Sequence, residues 1–114
     1  MTEVRLASHV MIGALVRLAS ANGDFVAVLQ KGDRISGAIL LSIAIKGVQH
    51  GLLERMPATD GKPRFASPIA EKINQSTEIS QYLQRRRERD PDLWIVELDI
   101  ACDERLNPYL AVFD

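Results

Sequence analysis

The spacing of apolar residues predicts a first helix over residues 8–22, because its apolar side chains recur at the i, i+3, i+4 and i+7 spacing of one helical face. The face comprises Ala7, Val10, Met11, Ala14, Leu15 and Leu18. Ser8 is expected to cap the start of this helix. Asn22 and Gly23 supply the left-handed residue on which many helices end, and Arg17 falls off the apolar face.

A second helix is predicted from Ser76 or Thr77 to Arg89, in the segment STEISQYLQRRRER. Either hydroxyl residue can cap it, and an acid stands in its first turn, where the helix dipole favours negative charge. Pro91 ends the helix, since the residue before a proline disfavours helical geometry. The predicted core stripe is Ile79, Tyr82 and Leu83.

Apolar, β-branched runs bounded by turn residues predict the strands. They cover residues 25–30, 38–45, 48–56, 64–66 and 93–98. The first two are read as a hairpin joined by the turn segment KGDRISG. The second shows almost no polar alternation, which predicts a strand at the sheet centre with both faces covered. Gly51 is expected to mark a bulge in the third strand.

The order α-β-β-β-(β)-α-β predicts an α+β fold, with an antiparallel sheet of four to five strands and two helices. The chain of 114 residues is interpreted as a single domain, residues 1–114. The tail after residue 100 is apolar at Tyr109, Leu110, Val112 and Phe113. It is expected to dock either on the core or on a partner.

The charge balance restricts the partners. The formal net charge is −1, so no global field draws the chain to nucleic acid or to anionic lipid. Cys102 is the single cysteine, which excludes an intrachain disulfide and fits a reducing compartment. The apolar stretch near the N-terminus is too short to span a bilayer and is interrupted by Arg17. We therefore expect a cytoplasmic protein with no membrane partner.

Motifs for catalysis are missing from the sequence. It contains no phosphate loop and no nucleophile elbow, and its two histidines, His9 and His50, stand in separate elements. Glu97 and Asp99 are two apart on a strand and share a face, where they could hold a cation or exchange protons. These considerations favour a non-enzymatic protein with no catalytic residue, cofactor or metal.

Four arginines within five residues, Arg85, Arg86, Arg87 and Arg89, raise the possibility of nucleic-acid binding. They fan around the helix and have acids beside them, and cations in a last turn also complement the helix dipole. A solvated helix end is therefore the preferred interpretation. The predicted binding surface combines this end with the turn between the first two strands. Its residues are Lys31, Asp33, Arg34, Arg85, Arg86, Arg89 and Trp94.

Five segments of the chain form a recognisable series, in chain order R-L (5–6), A-N-G-D-F (21–25), V-x-x-K-G-D-x-x-x-G-A-I (28–39), E-I-x-x-Y-L-x-R (78–85) and D-P-D-L-W-I-V-E-L (90–98). Together they resemble a bacterial family known as "domain of unknown function 1491", small single-domain proteins found mainly in alphaproteobacteria. The segment HGLLERM and the tail depart from the family pattern. The resemblance implies one cytoplasmic bacterial domain and transfers no activity, cofactor or catalytic residue.

Three hypotheses of function follow. The first is a non-enzymatic module for protein–protein contact, acting as a homo-oligomer or as a regulatory partner. The second is a nucleic-acid accessory protein that uses the arginine-rich helix end. The third is a small-molecule or metal-using enzyme, which requires Lys31, Asp33, Glu97 and Asp99 to converge in one pocket.

Overall fold

A computed structural model describes residues 7–56, 64–67 and 76–113. The predicted loop over residues 57–63 and the segment 68–75 lie outside the described residues. Single 3₁₀ turns flank the last helix, at Asp103–Arg105 and Ala111–Phe113. In chain order the other elements are α1 (Ser8–Asn22), β1 (Phe25–Gln30), β2 (Ile39–Ile45), β3 (Val48–Met56), β4 (Arg64–Ala66), α2 (Ser76–Arg89), β5 (Trp94–Ile100) and α3 (Leu106–Leu110).

The sheet is mixed, with the strand order β1-β5-β2-β3-β4. β5 lies between β1 and β2, antiparallel to β1 and parallel to β2. The α+β fold is thus confirmed, whereas the β1–β2 hairpin and the wholly antiparallel sheet were wrong. The connection over residues 31–38 is longer than the two to five residues of ordinary hairpin loops and passes over the start of β5.

Apolar side chains cover both faces of the sheet, so β2 is central and buried as predicted. α1 and the C-terminal tail pack on one face and α2 packs on the other. The first face buries Ile39, Leu41, Ile43, Trp94, Val96, Leu98 and Ile100 against α1 and the tail. The second face joins Leu40, Leu52, Leu93 and Ile95 to Ile79 of α2. Because side chains alternate between the two faces along each strand, the same strands contribute to both cores.

The β2–β3 pair contains the predicted bulge. Ile43 pairs with Gly51 and Ala44 pairs with Gln49, so His50 is the extra residue. Gly51 has φ 144°, a conformation that a side chain would strain. The Gln49 side chain stabilises the bulge, since its Oε1 accepts the Gly51 N–H at 2.9 Å and its Nε2 donates to Ser42 Oγ at 2.8 Å.

Helix α1 has the predicted bounds but a rotated face. Met11 and Leu15 are buried as expected, together with Ile12 and Ala19, whereas Val10 is 40% exposed. Ser8 is the first helical residue and makes no cap, which corrects that prediction. The α2 stripe of Ile79, Tyr82 and Leu83 is confirmed.

The C-terminal tail docks on the core of this chain. Tyr109 and Phe113 are almost completely buried, and Phe113 meets Phe65 of β4 edge-to-face with 5.5 Å between the ring centroids. The Phe113 carbonyl accepts a hydrogen bond from Arg55 at 3.0 Å. The apolar character of the tail is therefore explained by intramolecular packing.

Candidate functional site

Residues 31–38, which join β1 to β2 and include the K-G-D segment, form an arch whose shape is fixed by internal hydrogen bonds. Asp33 Oδ2 accepts the backbone N–H groups of Ile35 and Ser36 at 3.1 and 2.9 Å and the Ser36 hydroxyl at 3.1 Å. These bonds, led by the one from the Ser36 N–H, lower the pKa of Asp33. The carboxylate is thus engaged in shaping the loop.

The arch is held against the turn that precedes β5. The Asp33 N–H donates to the Asp92 carbonyl at 3.0 Å, and the Trp94 indole N–H donates to the Asp33 carbonyl at 2.7 Å. A Cβ on Gly32 would lie 2.2 Å from the Asp92 oxygen. Trp94 is only 5% exposed. It fastens the loop from inside and is not available as a stacking platform.

The arginine cluster divides into anchors and free cations. Arg86 forms a fork with Glu54 of β3, at 2.5 and 3.1 Å, and also donates to the Tyr82 hydroxyl at 2.7 Å. The hydrogen bonds to Glu54 raise the pKa of Arg86, against the opposing effect of burial. Arg87 donates to the Leu29 carbonyl of β1 at 3.0 Å. Arg85 and Arg89 are exposed.

The two halves of the predicted surface do come together. The Gln30 side chain donates to the carbonyls of Asp90 and Leu93, at 3.1 and 2.8 Å, and so places the arch beside the end of α2. Exposed charges of both signs are present at this end of the molecule. The cations are Lys31, Arg34, Arg85 and Arg89, and the acids are Glu88 and Asp92. The result is a mixed-charge surface without an exposed aromatic ring among these residues.

The four residues of the enzyme hypothesis do not meet. Asp33 lies beside the start of β5, whereas Asp99 lies near its end and accepts the Gly47 N–H at 3.1 Å. Asp99 lies five residue steps along the strand from Trp94, about 17 Å at the usual rise. Glu97 and Asp99 share a face as expected, both half-buried. Within the described residues, no group of three or more His, Cys, Asp or Glu side chains is placed to hold a metal ion.

A buried polar cluster that the sequence reasoning missed ties the tail to α1. Asp24 Oδ2 accepts the Tyr109 hydroxyl at 2.5 Å and Arg105 at 3.0 Å, and Oδ1 accepts the Ala101 N–H at 3.2 Å. Burial would raise the pKa of Asp24, but these bonds together lower it. Burial, with the bond to Asp24, raises the pKa of Tyr109. Two features of the sequence could have indicated this cluster. One is Asp24 in A-N-G-D-F, an acid just after the end of α1, and the other is Tyr109, an aromatic residue in the apolar tail.

The outer strand β1 is a second feature that the sequence reasoning missed. It contains no charged residue and no proline, and its burial is low. Phe25 is 73% exposed, Val28 40% and Leu29 37%, and Ala27 is also exposed. Among the described residues, β1 pairs with β5 on one side and with no strand on the other. The apolar, β-branched run in FVAVLQ predicts a strand, but only the sheet order makes it an edge.

The hydrogen bonds of β5 show which way its backbone groups point. The Trp94 N–H and the Ile100 carbonyl bond to residues that flank β2, at 2.8 and 3.0 Å. Since backbone groups alternate in direction along a strand, even-numbered residues of β5 bond to β2. The backbone N–H and C=O groups of Glu97 and Asp99 therefore point toward β1 and bond to it.

The same alternation determines the outer edge of β1. Ala27 pairs with Glu97 and Phe25 pairs with Asp99, so these two residues of β1 turn their N–H and C=O groups inward. Val26 and Val28 consequently turn theirs outward. The edge offers two donors and two acceptors in an uncharged setting.

Taken together, a mixed five-stranded sheet between two helical layers defines a small α+β domain. The model of a family described as protein of unknown function, DUF1491, matches residues 6–107. The chain belongs to this family. Within the described residues, no helix is long and apolar enough to cross a membrane.

Solved structures agree with the family assignment. A crystal structure of a DUF1491 family protein from Caulobacter crescentus is 28% identical with a TM-score of 0.72, covering 84% of this chain and 89% of that one. An NMR structure of a DUF1491 family protein from the same bacterium is 27% identical, with a TM-score of 0.72 and coverages of 86% and 88%. A solution structure of a protein from Agrobacterium tumefaciens is 31% identical, with a TM-score of 0.67 and coverages of 84% and 86%. A search of the curated proteins finds no match.

Proposed function

We propose that this domain is a protein–protein interaction module that binds its partner by strand addition to the outer edge of β1. The observation that carries the proposal is the combination of outward backbone groups at Val26 and Val28 with exposed apolar side chains at Phe25, Val28 and Leu29. Strand addition derives affinity from the main-chain hydrogen bonds and selectivity from alternate side chains.

Over residues 25–28, before the irregularity between Val28 and Gln30, the edge lacks the usual protection against such pairing. Natural sheets blunt their edges with charges, prolines or very short strands. The opposite edge, β4, has only three residues. β1 has six residues, FVAVLQ, and none is charged. An unprotected edge strand is expected in a protein that binds its partner by strand addition.

Other surfaces support this role less well. The apolar tail and the apolar strand β2 pack inside the molecule, so neither serves a partner. At the arginine-rich end, Arg86 is engaged by Glu54 and Arg87 by Leu29, while Trp94 is buried. Nucleic-acid recognition needs free cations for phosphate contacts and exposed aromatic rings for base stacking, and this arginine cluster offers only Arg85 and Arg89 as free cations.

Quantitative affinity purification from the native host tests the proposal. Val28→Lys places a charge on the open edge, and Val16→Lys is the matched control because both valines are 40% exposed and Val16 lies on α1. A protein that the wild type and Val16→Lys retain and that Val28→Lys loses by tenfold or more is the expected result. Equal recovery of every protein by the two variants, the untagged native copy of this chain included, would overturn the proposal.

A further inference from the structure

We infer that the strand added to β1 comes from a second copy of this chain, paired antiparallel about a two-fold axis at Ala27. This inference rests on the proposed function and names its partner. A two-fold contact must be self-complementary, with the same patch on both copies. The edge of β1 meets that condition in its hydrogen bonds, its charge and the residues at its two ends.

The hydrogen bonds select one register. With Ala27 facing Ala27 of the second copy, Val26 faces Val28 of the other copy on both sides of the axis. These are the two residues whose N–H and C=O groups point outward. Each such pair exchanges two hydrogen bonds, so the contact forms four in total. No outward group between Val26 and Val28 is left without a partner.

Neighbouring registers are blocked by bonds already made. A shift toward the start of β1 would require the Asp24 N–H, which donates to the Ala19 carbonyl at 2.9 Å. A shift toward its end reaches the irregularity between Val28 and Gln30, where the Leu29 carbonyl already accepts a bond from Arg87 at 3.0 Å. In the register centred on Ala27, the hydrogen bonds between the two copies use the regular part of the edge alone.

Side chains and charges are compatible with the same register. Phe25 falls opposite Leu29 of the second copy, which brings together two exposed apolar residues. Lys31 directly follows β1, so antiparallel pairing brings it toward the carbonyl end of α1 of the second copy, where the helix itself carries no basic residue in its last turn. Cations are favoured at that end of a helix. No like charges are opposed along the paired stretch.

The size of the contact determines its strength. One strand pair buries less than the roughly 1,200 Å² of surface that stable complexes need. The dimer is therefore weak and depends on concentration, with a dissociation constant on the order of 10 µM or above. Purification at low concentration yields mostly monomer, and concentrated samples yield dimer.

Two sets of variants at position 27 test the inference on the purified full chain. Analytical ultracentrifugation compares Ala27→Lys, Ala27→Glu, their equimolar mixture and the Val16→Lys control. The inference expects each Ala27 variant alone to dimerise at least tenfold more weakly than the wild type, because like charges oppose across the axis. The mixture should recover the dimer, and the control should match the wild type. Circular dichroism checks that each variant is folded.

A cross-link tests the register directly. Residue 27 would form a non-hydrogen-bonded pair with its symmetry mate, with Cα atoms about 4.5 Å apart, close enough for a disulfide. Ala27→Cys, made with Cys102→Ser, should form an intermolecular disulfide on mild oxidation, and Phe25→Cys in the same background should form at least tenfold less. Equal yields from the two would overturn the register, and with it the inference.

The remaining outcomes separate this inference from the proposed function. A wild type that stays monomeric at all concentrations, while Val28→Lys loses a host protein, overturns self-pairing and leaves strand addition standing. A dimer that the Ala27 variants do not weaken places the contact on another surface and also overturns self-pairing. A monomer with no Val28-dependent host protein overturns both.

Discussion

Asp24 is a buried carboxylate whose role is to fasten the tail rather than to do chemistry. It follows α1 directly and collects hydrogen bonds from Tyr109, Arg105 and the Ala101 N–H. It therefore connects the end of α1, the end of β5 and the helical tail. Its carboxylate has no access to a substrate, since the side chain is only 3% exposed.

The lowered pKa of Asp24 makes the stability of the domain depend on pH in the acid range. Its contribution is complete above the unfolded pKa of about 3.9 and disappears as the pH falls through the lower folded pKa. Tyr109→Phe removes one stabilising donor and should lower the free energy of unfolding at pH 7 by about 1–2 kcal/mol. The loss should become smaller as the pH falls through the folded pKa of Asp24. Urea titrations at pH 7 and at a series of lower pH values measure it.

Asp24→Asn provides the control for that pH dependence. The amide cannot ionise, so the variant should lose the acid-range dependence that Asp24 causes, at a cost in stability at pH 7. If Asp24→Asn and the wild type lose stability in parallel between pH 5 and pH 3, the dependence comes from other groups.

Arg86 and Glu54 form the main ionic connection between α2 and the sheet, each 19% exposed. Arg86→Leu leaves Glu54 half-buried without its partner and should lower the free energy of unfolding by about 2–3 kcal/mol. Arg89→Leu removes an exposed cation from the same helix end and should change it by less than about 0.5 kcal/mol. Chemical denaturation of both variants makes the comparison. Equal effects would show that Arg86 is an ordinary surface residue.

The sequence contained enough information to predict that Arg86 faces the sheet. Ile79, Tyr82 and Leu83 define the α2 stripe, and Arg86 extends it by the same helical spacing. A cation in line with a buried stripe indicates a partner acid on the sheet. Its identity as Glu54 depended on the sheet order, which no local pattern encodes.

At the scale of elements, the arch over residues 31–38 is set by the close approach of its glycines to the turn before β5. Gly32 allows backbone contact with the Asp92 carbonyl, where a Cβ would lie at 2.2 Å. Gly37 does the same at 2.4 Å. The turn residues were recognised in the sequence, but their reason is packing against a distant segment rather than a hairpin bend.

Gly32→Ala and Gly13→Ala should therefore have opposite effects. At Gly32 the methyl group meets backbone atoms and should lower the free energy of unfolding by about 1–3 kcal/mol. At Gly13 its nearest neighbour is the flexible end of Arg17 at 3.4 Å, and a better helix former should raise it by about 0.5–1 kcal/mol. Thermal unfolding of the two variants distinguishes them. A harmless Gly32→Ala would mean that the arch is not packed as described.

Elements with local signals were predicted almost to the residue. The bounds of α1, β1 and β3 match, because the helix stop at Gly23, the apolar, β-branched runs and the Lys46–Gly47 turn are all encoded nearby. The placement of β5 between β1 and β2 was missed. That insertion depends on contacts between segments about 60 residues apart, which the apolar pattern of each strand leaves open.

At the scale of the whole molecule, the residues that the structure describes bury most of their apolar segments and leave the outer edge of β1 without a paired strand. The tail covers one face, α2 covers part of the other, and β4 closes one end of the sheet with three residues. β1 remains as a six-residue uncharged edge. The predicted surface residues Lys31, Arg34, Arg85 and Arg89 are exposed in the arch and at the end of α2.

The central claim is that the outward amides of Val26 and Val28 form the contact edge. Residue-resolved amide hydrogen exchange by NMR tests it, on dilute and concentrated samples of the wild type and of Ala27→Lys. The account predicts that Ala27 is protected in every sample, while Val26 and Val28 gain at least tenfold protection on concentration in the wild type alone. Unchanged, rapid exchange of Val26 and Val28 in the concentrated wild type, with or without host extract, would contradict it.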